Sequence, residues 1–175
     1  MVALGDYLKI DRMSIYKVLG NFKGAKRRFE LKGNYSGSDI IDDYGHHPTE
    51  IKATIEALSE RYPDKRKVVV FWPHQYKRIK PLLGNFAQAF DKADEIIIKP
   101  IFLVPGRDEK LDVDSETLVS LIKERGKNAV LFDNDKEIIA HLKETLDKNS
   151  VLLTIGIPPV YKIADALVRG DNNTD

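Results

Sequence analysis

Reactive side chains are concentrated in seven consecutive residues, Asp42-Asp43-Tyr44-Gly45-His46-His47-Pro48, directly after the apolar pair Ile40-Ile41. Two carboxylates at a strand end can accept hydrogen bonds from ribose hydroxyls or face a cation; they can also simply cap and tie the turn. Gly45 allows a sharp change of backbone direction. His46 falls in the loop and His47 near a helix start, where the helix dipole disfavours a positive charge. A second cluster, Pro73-His74-Gln75-Tyr76-Lys77-Arg78, follows Val70-Phe71-Trp72. Arg78 is able to grip a carboxylate through two parallel bonds, and the bland alternative is a solvated first helical turn. A third, Lys26-Arg27-Arg28-Phe29-Glu30, offers one arginine to a nucleotide phosphate or is an ordinary charged strand start. The convergence of rare residue types in the first heptad favours a ligand site there.

Regular elements must hold these clusters. Asp11 can cap a helix carrying Ile15, Val18 and Leu19, ended by Gly20 and Gly24. Arg28 to Lys32 reads as a strand, Tyr35-Ser36-Gly37-Ser38 as a turn, and Asp39 to Tyr44 as the returning strand of a hairpin. Pro48 suits a first helical position, with Ile51, Ile55 and Leu58 at helical spacing. Strands are expected at Lys67 to Trp72, Glu95 to Phe102 (interrupted by Pro100), Asn128 to Phe132 and Val151 to Ile155. Between and after them lie helices marked by Leu82, Phe86, Ala89 and Phe90; by Leu118, Leu121 and Ile122 behind Asp114; by Ile138, Ile139, Leu142 and Leu146, with His141 turned to solvent; and by Val160 to Val168. Continuous apolar strands alternating with amphipathic helices predict an α/β fold, a Rossmann-like three-layer sandwich with a mostly parallel sheet and an amino-terminal hairpin and helix. In such sheets ligands bind beyond the carboxyl ends of the strands, where strand order reverses.

Composition narrows the chemistry. Lys plus Arg is 28 and Asp plus Glu is 27, so no electrostatic pull toward nucleic acid or an anionic membrane is expected. The absence of cysteine rules out disulfides, thiol catalysis and thiolate metal sites. Adjacent His46 and His47 diverge and have no third ligand at suggestive spacing, so no metal site is expected. No Gly-x-x-x-x-Gly-Lys-Ser/Thr loop grips ATP phosphates, and no Gly-x-Gly-x-x-Gly follows a strand. Short apolar runs, and a start from Met1 to Asp11 without the pattern of a secretory signal, predict a cytoplasmic protein.

Three segments together resemble successive landmarks of the Mur ligase family: Phe22-Lys23-Gly24-Ala25-Lys26-Arg27-Arg28-Phe29-Glu30, then Ile41-Asp42-Asp43-Tyr44-Gly45-His46-His47-Pro48-Thr49-Glu50-Ile51, then Pro73-His74-Gln75-Tyr76-Lys77-Arg78. The middle one is the most specific. Within the family the resemblance is nearest to members that join L-alanine to UDP-N-acetylmuramic acid in peptidoglycan synthesis. It covers essentially the whole chain but only the third of the family's three domains. It implies residues 1–20 as a helical tail crossing from a missing central domain, 21–169 as the carboxyl-terminal domain, and 170–175 as a disordered tail. The implied reaction is ATP-dependent amide formation through an acyl phosphate. The phosphate loop, magnesium ligands and catalytic lysine would lie in the missing central domain, and the isolated chain would be inactive. The resemblance assigns ATP ribose to Asp43, ATP phosphates to Arg28, the amino-acid pocket to Tyr44 and His46, the alanine carboxylate to Arg78, and support of that pocket to His74. Implied partners are the missing amino-terminal and central domains, ATP, L-alanine and UDP-N-acetylmuramic acid.

Two departures stand out. Gln75 replaces the family's usual arginine, and Gly156-Ile157-Pro158-Pro159-Val160 replaces a glycine-rich Gly-Ala-Gly-Asp turn, removing two backbone donors. Three alternatives are a free-standing nucleotide or amino-acid binding module without catalysis, the corresponding domain of the related tripeptide-recycling ligase, and a phosphoacceptor receiver domain. The last needs a further strand-end aspartate and a lysine that no arrangement here supplies cleanly.

Overall fold

The computed structural model describes residues 2–21 and 24–171. Two short helices come first, α1 (Val2–Tyr7) and α2 (Arg12–Asn21). They are followed by β1 (Glu30–Tyr35), β2 (Ser38–Asp43), α3 (Pro48–Arg61), β3 (Arg66–Phe71), α4 (Tyr76–Ala89), β4 (Glu95–Ile98), α5 (Ser115–Glu124), β5 (Asn128–Leu131), α6 (Asp135–Thr145), β6 (Ser150–Ile155) and α7 (Tyr161–Asp171). One six-stranded sheet has the order β1-β2-β6-β3-β4-β5. The β1–β2 hairpin is antiparallel, and every other pairing is parallel.

Successive strand residues alternate between two cores, as the period-2 pleat requires. Ile41, Val69, Phe71, Ile96, Ile98 and Leu153 pack against α3, α4 and α5 through Ile51, Ile55, Phe86, Leu118 and Ile122. Ile40, Val68, Val70, Ile97 and Leu152 pack against α6 and α7 through Ile138, Leu142, Ile163 and Leu167. The crossovers carrying α3, α4 and α5 all advance toward β5. The α6 crossover steps back to β6, so its helix must take the opposite face if every crossover is right-handed. Neighbouring strands whose following helices leave to opposite faces occur at β2/β6, β6/β3 and β4/β5. These are the crevices where a parallel sheet receives ligands.

Several expectations need correction. The first strand begins at Glu30 rather than Arg28, because Arg27 and Phe29 have positive φ (56° and 48°) and break extended geometry. β4 ends at Ile98; beyond Lys99-Pro100 only Phe102 makes a bridge, to His74. His141 does not face solvent. Its Nε2 lies 2.6 Å from Glu95 Oε1, and its ring packs on Phe132. Helix α7 runs to Asp171, so Gly170 is helical; residues 172–175 lie outside the described residues, as do Phe22 and Lys23 of the first resemblance segment. Asp11 does cap α2, accepting from the Ser14 N–H at 2.8 Å. None of the apolar residues of α2 is fully buried, and Val18 is 68% exposed.

Candidate functional site

Strands β2, β6 and β3 end level with one another. Asp43 pairs with Ile155, and Ile155 with Phe71. The loops after β2 and β3 therefore leave the same edge about 10 Å apart, two strand spacings, with the β6 turn between them. Backbone bonds tie the three exits: Gly156 N–H to Asp43 O (3.2 Å) and Trp72 N–H to Ile155 O (3.3 Å).

The paired aspartates serve the frame. Asp42 is fully buried and accepts from Thr154 Oγ1 (2.7 Å) and Arg27 Nε (2.8 Å). Burial raises its pKa, and the bonds from Arg27 and Thr154 only partly offset that. Buried against Arg27 and Thr154, it is closed to a metal ion or a ribose. Asp43 is also nearly buried; Oδ1 accepts from Gly45 N–H (2.7 Å) and Oδ2 from Phe29 N–H (2.8 Å). Each Asp43 oxygen keeps one lone pair for a further donor.

The family resemblance pointed to Arg28, and the structure divides that cluster. Arg27 is the inward clamp. Its guanidinium donates to Asp42 and to the carbonyls of Gly156 and Ile157, and lies between the rings of Tyr44 (5.2 Å) and Tyr161 (4.9 Å). Arg28 is exposed, has no ion-pair partner among the described residues, and stands over the Tyr44 ring at 5.8 Å. The β6 turn thus presents carbonyl oxygens to Arg27, an arrangement that suits a turn whose next two residues, Pro158 and Pro159, lack N–H groups.

Gly45 is required for a different reason than expected. Its φ is not positive; a Cβ there would lie 2.9 Å from Asp43 Oδ1 and 3.2 Å from Ile155 Cδ1. Gly45→Ala should therefore lower stability by about 1–3 kcal/mol, readable as a shifted denaturant midpoint with unchanged m-value. A midpoint equal to wild type would contradict this close packing.

His47 is the N-cap of α3: its Nδ1 accepts from Thr49 N–H (3.3 Å), and Glu50 closes a capping box by accepting from His46 N–H (2.9 Å) and His47 N–H (3.1 Å). The bond from the His46 N–H, followed by that from His47, holds the Glu50 carboxyl below its usual range despite desolvation. His46 Nδ1 lies 3.2 Å from Tyr44 O, and the two rings meet edge-on at 5.5 Å. Tyr44 and His46 are half-buried and open to the rim.

On the β3 side, His74 stacks on Phe102 at 5.9 Å with ring planes 8° apart. Burial pushes its imidazole below the ordinary histidine range, and the charges of Arg78 and His46 push the same way against Asp108. Two buried polar atoms here have no hydrogen-bond partner: His74 Nδ1 and Arg78 Nη1. Gln75 sits at the α4 N-cap with φ 67° and no side-chain cap. Asp108, from the loop after β4, supplies the missing acceptor to Tyr76 N–H (2.8 Å) and Lys77 N–H (3.4 Å). The structure therefore gathers Tyr44, His46, His74 and Arg78 on one rim, with Asp43 beneath it and Arg28 at its edge. Arg27, Glu50 and Asp108 were not singled out from sequence. Glu50, three residues after a helix-capping position, carried a readable signal; Asp108 carried none.

The family described as Mur ligase, glutamate ligase domain, matches residues 27–157. The chain belongs to the Mur ligase family. It is 41% identical over 168 residues to UDP-N-acetylmuramate–L-alanine ligase of Caldanaerobacter subterraneus subsp. tengcongensis, covering 96% of this chain and 36% of that protein. It is 39% identical to the ligase of the same name from Desulfosudis oleivorans, covering 97% of this chain and 37% of that one. Among solved structures, UDP-N-acetylmuramate–alanine ligase of Thermotoga maritima superposes with a TM-score of 0.80 at 25% identity, over 99% of this chain and 36% of that one. A murein peptide ligase from Psychrobacter arcticus shares the fold (TM-score 0.68, 20% identity, 91% of this chain and 32% of that one). The chain thus spans about a third of the length of these Mur ligases. The matched residues begin at Arg27, the clamp, and end at Ile157, whose carbonyl that clamp holds, so they enclose the whole rim.

Proposed function

We propose that this chain is the carboxyl-terminal domain of an ATP-dependent ligase that joins L-alanine to UDP-N-acetylmuramic acid, and that its rim supplies one side of the nucleotide and amino-acid sites. The observation that carries this reading is the buried, unpartnered Arg78 Nη1 beside a His74 held toward its neutral form. A guanidinium donor left unpaired in a buried position is costly unless a ligand acceptor arrives, and a carboxylate is its natural bidentate partner. Tyr44 and His46 would form the pocket wall next to it. At the edge, the unpaired Arg28 fits a phosphate, and the free lone pairs of Asp43 fit ribose hydroxyls. Among the described residues no group of three His, Cys, Asp or Glu gathers to hold a metal. We assign the magnesium ligands and phosphate loop of the reaction to the remainder of the ligase. Among the described residues no helix is long and apolar enough to cross a membrane.

The first two helices fit a missing neighbour. α1 and α2 pack mainly on each other, and Leu4, Leu8, Ile10, Ile15, Val18 and Leu19 line an apolar groove of about 270 Å³. Exposed apolar surface of this kind marks a contact site. Leu8→Asp with Val18→Asp should change the stability of the sheet by less than about 0.5 kcal/mol while weakening association with the remaining domains, as read by sedimentation of the mixture. Undiminished association would reject this face.

The decisive assay mixes the chain with the separately prepared remainder of the ligase and measures ATP-dependent amide formation. Neither part alone should form product, and the mixture should. A well-folded mixture without product would favour a free-standing binding module instead.

A further inference from the structure

A cavity of about 690 Å³ lies away from this rim, at the β4/β5 crevice. We infer that it is a second ligand site, for a small organic anion whose carboxylate or phosphate head pairs with Lys99 and whose flat apolar body lies against Phe102 and Leu103.

The position follows from topology. The chain leaves β4 toward α5 and β5 toward α6, on opposite faces, which opens a gap between the loops after these strands. The walls of that gap include Trp72, Lys99, Phe102, Leu103, Asn134 and Asp135. Its volume is in the usual range for small-molecule pockets.

The chemistry follows from Lys99, an ammonium buried to 4% exposure at the end of a run of isoleucines. Its Nζ lies 3.5 Å from the centroid of the Trp72 ring and pairs with Asp135. An ammonium has three donors, and here one meets a carboxylate and the ring attracts the charge without accepting a conventional hydrogen bond. Full compensation of a buried cation requires more acceptors than one carboxylate supplies. Asp135 reaches Lys99 from the solvent side: its side chain is 41% exposed, and it sits in the first turn of α6. An incoming anion can therefore take the place of Asp135 on Lys99 without disturbing the core.

The apolar part of the site is fixed. The Trp72 indole N–H donates to Pro100 O at 3.0 Å, and its ring meets Phe102 edge-on at 5.6 Å. Phe102 in turn stacks on His74, so this aromatic wall separates the cavity from the Arg78 rim. The inference does not depend on the ligase reading, since nothing in it uses Tyr44, His46 or Arg78.

Trp72 is the only tryptophan of the chain, so its indole N–H gives a single, assigned NMR signal in the cavity wall. Phenyl phosphate and benzoate are titrated separately, with inorganic phosphate and neutral phenol as the partial ligands. A saturable shift of the indole signal is expected with at least one aryl anion, weaker with inorganic phosphate and absent with phenol. The stronger of the two aryl anions identifies the head group. Asp135→Asn removes the competing carboxylate and should tighten binding about tenfold, and Lys99→Met should abolish it. If Lys99→Met does not fold, the Asp135→Asn comparison alone decides. An indole signal unmoved by every anion, moved equally by phenol, or titrating identically in wild type and Asp135→Asn would overturn the site.

Discussion

In the complete ligase, Arg78→Ala should raise the Michaelis constant for L-alanine by thirty-fold or more, a loss of about 2 kcal/mol or greater, and leave that for ATP within about twofold. The asymmetry follows from position. Arg78 lies in the first turn of α4 on the β3 side of the rim, with one buried nitrogen lacking any acceptor. Arg28 and Asp43, the nucleotide candidates, belong to the β2 side. A carboxylate gripped equally in ground and transition states changes KM more than kcat. Arg78→Lys should recover little, because one ammonium cannot reproduce a planar fork. Equal rises for alanine and ATP would remove Arg78 from the amino-acid pocket.

Arg27→Met should destabilise the fold by about 3 kcal/mol at neutral pH, the cost of leaving a buried carboxylate without its cation. Asp42 is fully buried, and among the described residues Arg27 is its only charged partner in direct contact. The same substitution frees the carbonyls of Gly156 and Ile157, so the β6 turn should loosen as well. The pH dependence has a definite sign. Burial already raises the Asp42 pKa above the ordinary carboxylate value. Between the unfolded and folded pKa the folded state binds more protons, so stability falls as pH rises through that window. Without Arg27 the folded pKa climbs further and the window widens upward. The deficit of Arg27→Met relative to wild type should therefore be largest at neutral pH and shrink as pH drops toward 4, measured by denaturant unfolding across pH. A deficit independent of pH would mean that Arg27 acts through packing on Tyr44 and Tyr161 and not through the Asp42 charge.

Much of the fold was legible because local signals agreed with the global arrangement. Pro48 with Ile51, Ile55 and Leu58 marked a helix start and its buried face, and Tyr35 to Ser38 marked a hairpin turn. The strands Val68 to Phe71 and Val151 to Ile155 read as apolar runs because both their faces are covered. The convergence of the two polar loops was also legible, since both follow parallel strands. What escaped was set by distant contacts or by backbone dihedrals. Which arginine turns inward depends on positive φ at Arg27 and Phe29, and no strand period operates before Glu30. Asp108 caps a helix that begins 32 residues earlier in the chain. His141 shares a helix with Ile138 and Leu142, and it was the approach of Glu95 from β4 that turned it from a solvent residue into a paired one. Gly45 looked like a turn glycine, but close packing against Asp43 and Ile155 is what excludes a side chain.

The central claim is that the loops at 44–48 and 73–78 form one face of a single pocket that the rest of the ligase closes. Amide hydrogen exchange of the mixed, active assembly tests it most directly, comparing spectra with and without ATP and L-alanine. Both loops should gain protection together, and only when the remaining domains are present. Active assembly in which one loop is protected while the other exchanges as in the isolated chain would contradict it.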